Sequence, residues 1–156
     1  MSAASNFLED KLLDHTLRHS TAPYTAPSTI YVALFSDSGS GVAATLESNT
    51  TGTDAANKWG YYEINAGAYA RQSVTFAAAG TTTTGTIETS GSVSFPVATA
   101  DYQTAGSTGN VVTHIALMDA STGGNVLFYG ALTTNKTVSS GDQFTVSTGN
   151  LSISLA

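Results

Sequence analysis

The chain has 156 residues and a mass of 15.9 kDa, which is enough for one domain to bury a core without disulfide or metal support. Hydrophobic residues make up 41% and charged residues only 10%, which excludes a disordered chain, and Ser and Thr (about a quarter of the sequence) replace the missing charge. Five Lys and Arg against eleven Asp and Glu give a net charge of −6, which argues against a nucleic-acid partner, and no apolar run is long enough to span a membrane.

The N-terminal segment, residues 5–19, predicts the one helix of the chain. Asn6 is the expected N-cap, and Glu9, three residues later, completes a capping box. Four leucines recur with helical spacing and form one apolar stripe: Leu8, Leu12, Leu13 and Leu17. This stripe either packs on the chain's own sheet or contacts a neighbouring chain.

The remaining residues, 28–156, follow the two-residue period of β-structure. Ile30–Phe35 is apolar at every position, which predicts a strand buried on both faces. In total about eight short strands recur at intervals of roughly 8–12 residues, with Val126–Leu132 and Lys136–Val138 as separate strands. Asp119–Asn125 has the Gly-rich composition of a hairpin turn. The pattern predicts an all-β single domain, an antiparallel β-sandwich resembling a jelly roll.

A long polar excursion over residues 37–60 interrupts the predicted sandwich. The one element expected in it is a short hairpin around Val42–Leu46. Loops of this length in compact domains usually have a function or make contacts. Trp59, Tyr61 and Tyr62 close the excursion. If exposed, these aromatics would form an interface anchor or a platform for a sugar; otherwise they fold back as a lid over one end of the sandwich.

The sequence contains no recognisable set of catalytic or metal-binding residues. His15 and His19 share one helix face but lack an evident third metal ligand. The absence of Cys excludes thiolate sites. Four acids are candidates for a glycosidase pair, although they fall in loops or beside turns: Glu63, Glu88, Asp101 and Asp119. The sequence therefore predicts a protein with no enzymatic activity and no cofactor.

Three side chains are expected to have structural roles. Arg71 is the only cation between Lys58 and Lys136, and a lone Arg in a strand requires a carboxylate or carbonyl oxygens as partners. Tyr69 belongs to the same short run as Arg71. His114 lies within a predicted strand, where a hydrogen-bonded role in the sandwich is expected.

Several segments share their residues with one known family. They are Asn6–His15, Ile30–Phe35 (with the core YVALF), Tyr69–Phe76, Phe95–Ala100, Thr113–Asn125, Tyr129–Thr134 and Lys136–Val138. In these segments the chain resembles a family of small structural proteins in the virions of tailed bacteriophages, which includes capsid cement (decoration) and tail-fibre-like proteins. The similarity covers nearly the whole chain. The exception is Asp37–Asn65, which is longer than the usual loop of the family.

The resemblance implies a non-enzymatic virion component with no catalytic residues. Its leading interpretation is a capsid cement protein on the outer capsid surface, assembled in the host cytoplasm. Such a protein would bind the major capsid protein and itself, as a homotrimer. The alternative is a tail or tail-fibre component, or a carbohydrate-binding adhesin module. In either case the leucine stripe and the excursion are the expected contact elements.

Overall fold

The computed structural model describes residues 3–18, 24–37, 41–53, 55, 57–105 and 111–154. Within them the chain forms two α-helices and nine β-strands. The helices are α1 (Asn6–Leu17) and α2 (Val42–Ser48). The strands are β1 (Ala3–Ala4), β2 (Ile30–Phe35), β3 (Gln72–Val74), β4 (Thr86–Glu88), β5 (Val93–Ser94), β6 (Val111–Met118), β7 (Val126–Thr137), β8 (Thr145–Val146) and β9 (Ser152–Ser154). The predicted all-β class is therefore confirmed. Neither helix is long and apolar enough to cross a membrane.

One five-stranded antiparallel sheet organises the molecule, in the order β1-β7-β6-β2-β3. The pairs β4–β9 and β5–β8 form two smaller antiparallel sheets. Val93 of β5 and Ile153 of β9 join Val32, Leu34 and Leu117 of the main sheet in the larger hydrophobic core. This packing of sheet against sheet is the sandwich-like arrangement that the sequence predicts.

β2 is buried on both faces from Val32 to Phe35, as its sequence predicts. Val32 and Leu34 point into the larger core, while Ala33 and Phe35 point into a second, smaller core on the opposite face. Each of these four side chains has no exposed surface. A strand of this kind must be apolar at every position because each face meets another layer.

The N-cap of α1 is Ser5, and the prediction of Asn6 was wrong. Ser5 has extended backbone angles, and its hydroxyl accepts a hydrogen bond from the Leu8 amide at 3.3 Å. The same hydroxyl donates to the carbonyl of Val126, so the cap also ties the helix to β7. Asn6 is the first helical residue and is exposed. The predicted helix end at His19 lies outside the described residues.

The excursion contains a helix, α2, where the sequence analysis expected a hairpin. Val42, Thr45 and Leu46 are buried and recur with helical spacing, so one face of α2 packs on the smaller core. The Asp37 carboxylate accepts hydrogen bonds from the amides of Gly41 and Val42, at 3.1 and 3.4 Å. Asn49 ends the helix with a left-handed backbone, at φ 53°.

β7 is one continuous strand, whereas the sequence analysis expected two. It pairs with β6 from Val126 to Ala131 and again at Lys136 and Thr137, with a register shift also between Leu117 and Met118. Between the pairs His114–Ala131 and Val112–Lys136, residues 132–135 of β7 form a bulge without a register partner in β6. The predicted hairpin at Asp119–Asn125 joins β6 to β7, as the sequence indicates.

Candidate functional site

The aromatic residues that end the excursion are packed inside the chain. Trp59 is 3% exposed and Tyr62 7%, and both belong to the smaller core, with Tyr61 half-buried against it. A 3₁₀ turn at Trp59–Tyr61 brings the indole edge-on to Phe35, at a ring-centre distance of 6.4 Å. Since Trp59 and Tyr62 are buried, neither offers an exposed anchor or sugar platform, while a contact role for half-buried Tyr61 stays a prediction. The aromatic side chains fold back onto one face of the main sheet, whereas a lid over one end of the sandwich was expected.

Arg71 lies at the centre of a buried polar cluster. Its Nε and Nη2 donate to the two carboxylate oxygens of Glu63, at 2.6 and 2.8 Å. Its Nη1 donates to the carbonyl oxygens of Ala120 and Gly123, each at 2.8 Å. Both kinds of partner expected from the sequence are therefore present. Because the carbonyls belong to the β6–β7 hairpin, Arg71 fixes that hairpin against the segment that carries Glu63.

Tyr69 and Trp59 complete this cluster, which we call the Arg71 centre (Trp59, Glu63, Tyr69 and Arg71). The Tyr69 hydroxyl donates to Glu63 and accepts from the Leu34 amide, both at 3.1 Å. The Arg71 guanidinium lies 5.2 Å from the Trp59 ring centre, within range of a cation–π contact. The indole nitrogen of Trp59 is buried and has no hydrogen-bond partner in the described part of the chain.

The electrostatics of the Arg71 centre keep Tyr69 neutral and Arg71 charged. Burial and the charge of Glu63 raise the pKa of Tyr69 well above its usual value. Burial acts to lower the pKa of Arg71, but the hydrogen bond and charge of Glu63 outweigh it and raise that pKa. Neither side chain therefore releases a proton near neutral pH. The centre is suited to holding loops together.

A second polar link joins the excursion to the hairpin, and the sequence analysis missed it. The Asn49 side chain donates to Asn125 Oδ1 at 2.9 Å and accepts from the Val126 amide at 2.8 Å. Asn125 in turn donates to Asp119 through its backbone and side chain, at 2.6 and 2.8 Å. The available signal was an Asn three residues beyond Leu46, the last position of an i, i+3, i+4 spacing, since Asn is common at a helix C-terminus.

The four acids considered for catalysis each have a local hydrogen-bond partner. Glu63 binds Arg71, and Asp119 closes the hairpin. Glu88 accepts from the Thr82 hydroxyl, and Asp101 accepts from the Ser140 amide. Each carboxylate therefore serves a local structural purpose.

The two histidines that the structure describes, His15 and His114, lie far apart along the chain. His15 is exposed on α1, and its proposed companion, His19, lies outside the described residues. His114 is half-buried in β6, with its Nδ1 2.9 Å from Thr113 Oγ1, as expected of a hydrogen-bonded strand residue. Burial lowers the pKa of His114, against the opposing charge of Asp37. Among the described residues no three His, Asp or Glu side chains gather to hold a metal.

The leucine stripe of α1 is divided between the chain's own core and solvent. Leu8 is 4% exposed, and Leu12 packs on the larger core. Leu13 and Leu17 are 55% and 76% exposed. Residues four apart share a helix face, so one pair turns inward and the other outward. An interface role for Leu13 and Leu17 stays a prediction.

These features define a structural β-sheet protein, in which buried charges are used to join loops. Its family follows from comparison with known proteins: the family model described as podophage GP4 fiber I protein gp80 matches residues 3–154. The chain belongs to this family and is a structural component of a bacteriophage virion, so the resemblance in its sequence is confirmed at that level. No curated protein matches the sequence.

Proposed function

We propose that this protein is a non-enzymatic structural subunit of the fibre of a podophage particle. The observation that carries the proposal is the match to a fibre-protein family over residues 3–154, nearly the whole chain. That description favours the tail-fibre alternative of the sequence analysis over capsid cement as the leading interpretation.

The physical design of the chain supports a role as a passive building unit. Two hydrophobic cores on opposite faces of one sheet give a stiff body. The Arg71 centre and the Asn49 link then fix the hairpin and the excursion to that body. Charged residues are only 10% of the chain, so few charges lose water when copies or neighbours pack against it. Such a subunit acts through the contacts it makes in an assembly.

The position on the particle tests the proposal. Gold-labelled antibody against this chain is applied to purified virions, with particles assembled without the protein as the control for specificity. On complete virions we expect the label at the fibre. The control particles should lack fibres but still carry complete heads. Label spread over the head surface, together with heat-sensitive heads in the control particles, would identify a capsid cement protein and overturn the proposal.

A further inference from the structure

The side chains of Thr113 and His114 connect the start of the excursion to the main sheet. His114 lies in β6 opposite the last residue of β2, and Asp37 follows that strand. The Thr113 hydroxyl oxygen accepts a hydrogen bond from the Asp37 amide at 3.0 Å. The Asp37 carboxylate in turn accepts from the amides of Gly41 and Val42, where α2 begins. A short chain of polar contacts therefore runs from His114 to α2.

The Thr113 hydroxyl has a single proton and two possible acceptors. His114 Nδ1 lies 2.9 Å from the hydroxyl oxygen, and the Phe35 carbonyl oxygen lies 3.4 Å from it. A hydroxyl donates best to an oxygen at roughly 2.5–3.0 Å, so the Phe35 carbonyl is too distant for a strong bond. Donation to Nδ1 requires a neutral His114 that carries its proton on Nε2, because only a bare ring nitrogen accepts. The geometry therefore selects one tautomer of the neutral ring.

Protonation of His114 reverses the direction of this bond. Both nitrogens of the imidazolium are donors, so Nδ1 then donates to the Thr113 oxygen. That oxygen has two lone pairs and keeps its bond from the Asp37 amide. The hydroxyl proton must turn to the Phe35 carbonyl, at the longer distance. The proton gained stays on Nδ1, and the ring now carries a positive charge beside the segment that holds α2.

We propose that Thr113 and His114 form a pH-sensitive switch that sets how firmly Asp37 holds the N-terminus of α2. While the ring is neutral, it does not compete with the Gly41 and Val42 amides for the Asp37 carboxylate. Once the ring is charged, it attracts that carboxylate, and the two amides lose part of their hydrogen bonding. Because a carboxylate near the first amides stabilises a helix, drawing it away weakens the start of α2.

The surroundings of His114 set the pH range of the switch. Burial lowers the pKa of His114, and the negative charge of Asp37 opposes this effect. The switch therefore operates on the acidic side of 6.5, the ordinary histidine pKa. Among the described residues, Asp37 is the group whose charge acts on His114. Other titratable groups lie on the elements around it: Tyr31 of β2, Glu47 of α2, Glu63 opposite Phe35, and Tyr129 and Lys136 of β7.

NMR of the full chain tests the switch at both ends. The nitrogen shifts of the His114 ring should show a bare Nδ1 at neutral pH. Hydrogen-exchange protection of the Gly41 and Val42 amides, corrected for the intrinsic effect of pH, is then followed into acid. It should fall roughly two- to fivefold from about pH 7.5 to about pH 5, the size expected of a changed charge at a helix terminus.

Variants separate the switch from a general effect of acid. His114→Gln should abolish the fall in protection, because glutamine does not titrate, while His15→Gln on the exposed face of α1 is the matched control and should leave it unchanged. Thr113→Ser keeps the hydroxyl and should retain the fall, whereas Thr113→Val should reduce it. A proton on Nδ1 at neutral pH, or an equal fall in His114→Gln, would overturn the proposal. These results are independent of where the protein lies on the particle.

Discussion

The two halves of β7 belong to one strand but have opposite surroundings. In the first half, Val126, Leu127 and Tyr129 are buried, and Ser5 and Asn49 bond its backbone. The second half, Ala131–Thr137, is mostly exposed and rich in hydroxyl side chains. The difference indicates that the first half of β7 holds the body together, whereas the second half contributes little to its packing. Substitutions in the two halves should therefore change the free energy of unfolding by unequal amounts.

The largest effect is expected at the Arg71 centre, which fixes the hairpin that leads into the first half of β7. Arg71→Ala leaves Glu63 buried without its cation, which should lower the free energy of unfolding by about 3–5 kcal/mol. Arg18→Ala is the matched control, since Arg18 pairs with Asp14 on the surface at 3.0 Å. That exposed pair should contribute only about 0.2–0.5 kcal/mol. Urea denaturation measures both, and equal losses would contradict the structural role of the centre.

A slightly smaller contrast is expected within β7 itself. Leu127 is 4% exposed, so Leu127→Ala removes core packing and should cost about 2–5 kcal/mol. Thr133 is exposed, and Thr133→Ala should stay within about 0.5 kcal/mol of the original protein. Thermal and urea unfolding of the two variants measure how much each half of β7 contributes to the free energy of unfolding. A Thr133→Ala loss as large as that of Leu127→Ala would mean that the second half also supports the single chain.

The hairpin before β7 offers a test of close packing. Gly124 has φ +75°, and an added Cβ would lie 2.3 Å from Asp119 Oδ1. Gly149 has nearly the same φ, +77°, but open space around it. Both Gly→Ala variants should lose about 1 kcal/mol or more from backbone strain, and Gly124→Ala should lose roughly 1–3 kcal/mol in addition. If calorimetry finds equal losses, the Asp119 contact does not constrain the hairpin.

The smallest effect is expected at His114, which pairs with Ala131 at the boundary of the two halves of β7. There the free energy of unfolding should depend on pH. Burial lowers the pKa of folded His114 below its usual 6.5. Between the folded and unfolded pKa values the unfolded chain therefore binds more protons, so stability decreases as the pH falls below about 6.5. The His114→Gln variant should lose this part of the pH dependence. Urea midpoints of the original protein and of His114→Gln are measured across acidic pH. If the midpoints of both proteins decreased equally, the prediction would be refuted.

The main sheet was predictable because its signals are local. The apolar run of β2 and the Gly-rich turn between β6 and β7 each specify their structure within a few residues. Arg71, directly before β3, was also informative, because a single buried cation must find partners. The sequence did not identify those partners, since Glu63, Ala120 and Gly123 meet only after the sheet has formed.

The excursion and the second half of β7 were mispredicted for different reasons. α2 is short and rich in small and hydroxyl residues, so its helical spacing at Val42, Thr45 and Leu46 was weak against the surrounding polar sequence. The second half of β7 rejoins β6 at Lys136 and Thr137 after a bulge over residues 132–135, a long-range pairing that the local polar sequence does not signal.

Amide hydrogen exchange along β7, measured on the purified protein, tests the difference between its two halves most directly. We expect the amides of Val126–Gly130 to be protected, because this half pairs with β6 and carries buried side chains. The amides of residues 132–135, which lie in the bulge, should exchange more rapidly. Uniform protection of the whole strand would contradict an account in which the first half holds the body together and the second half adds little.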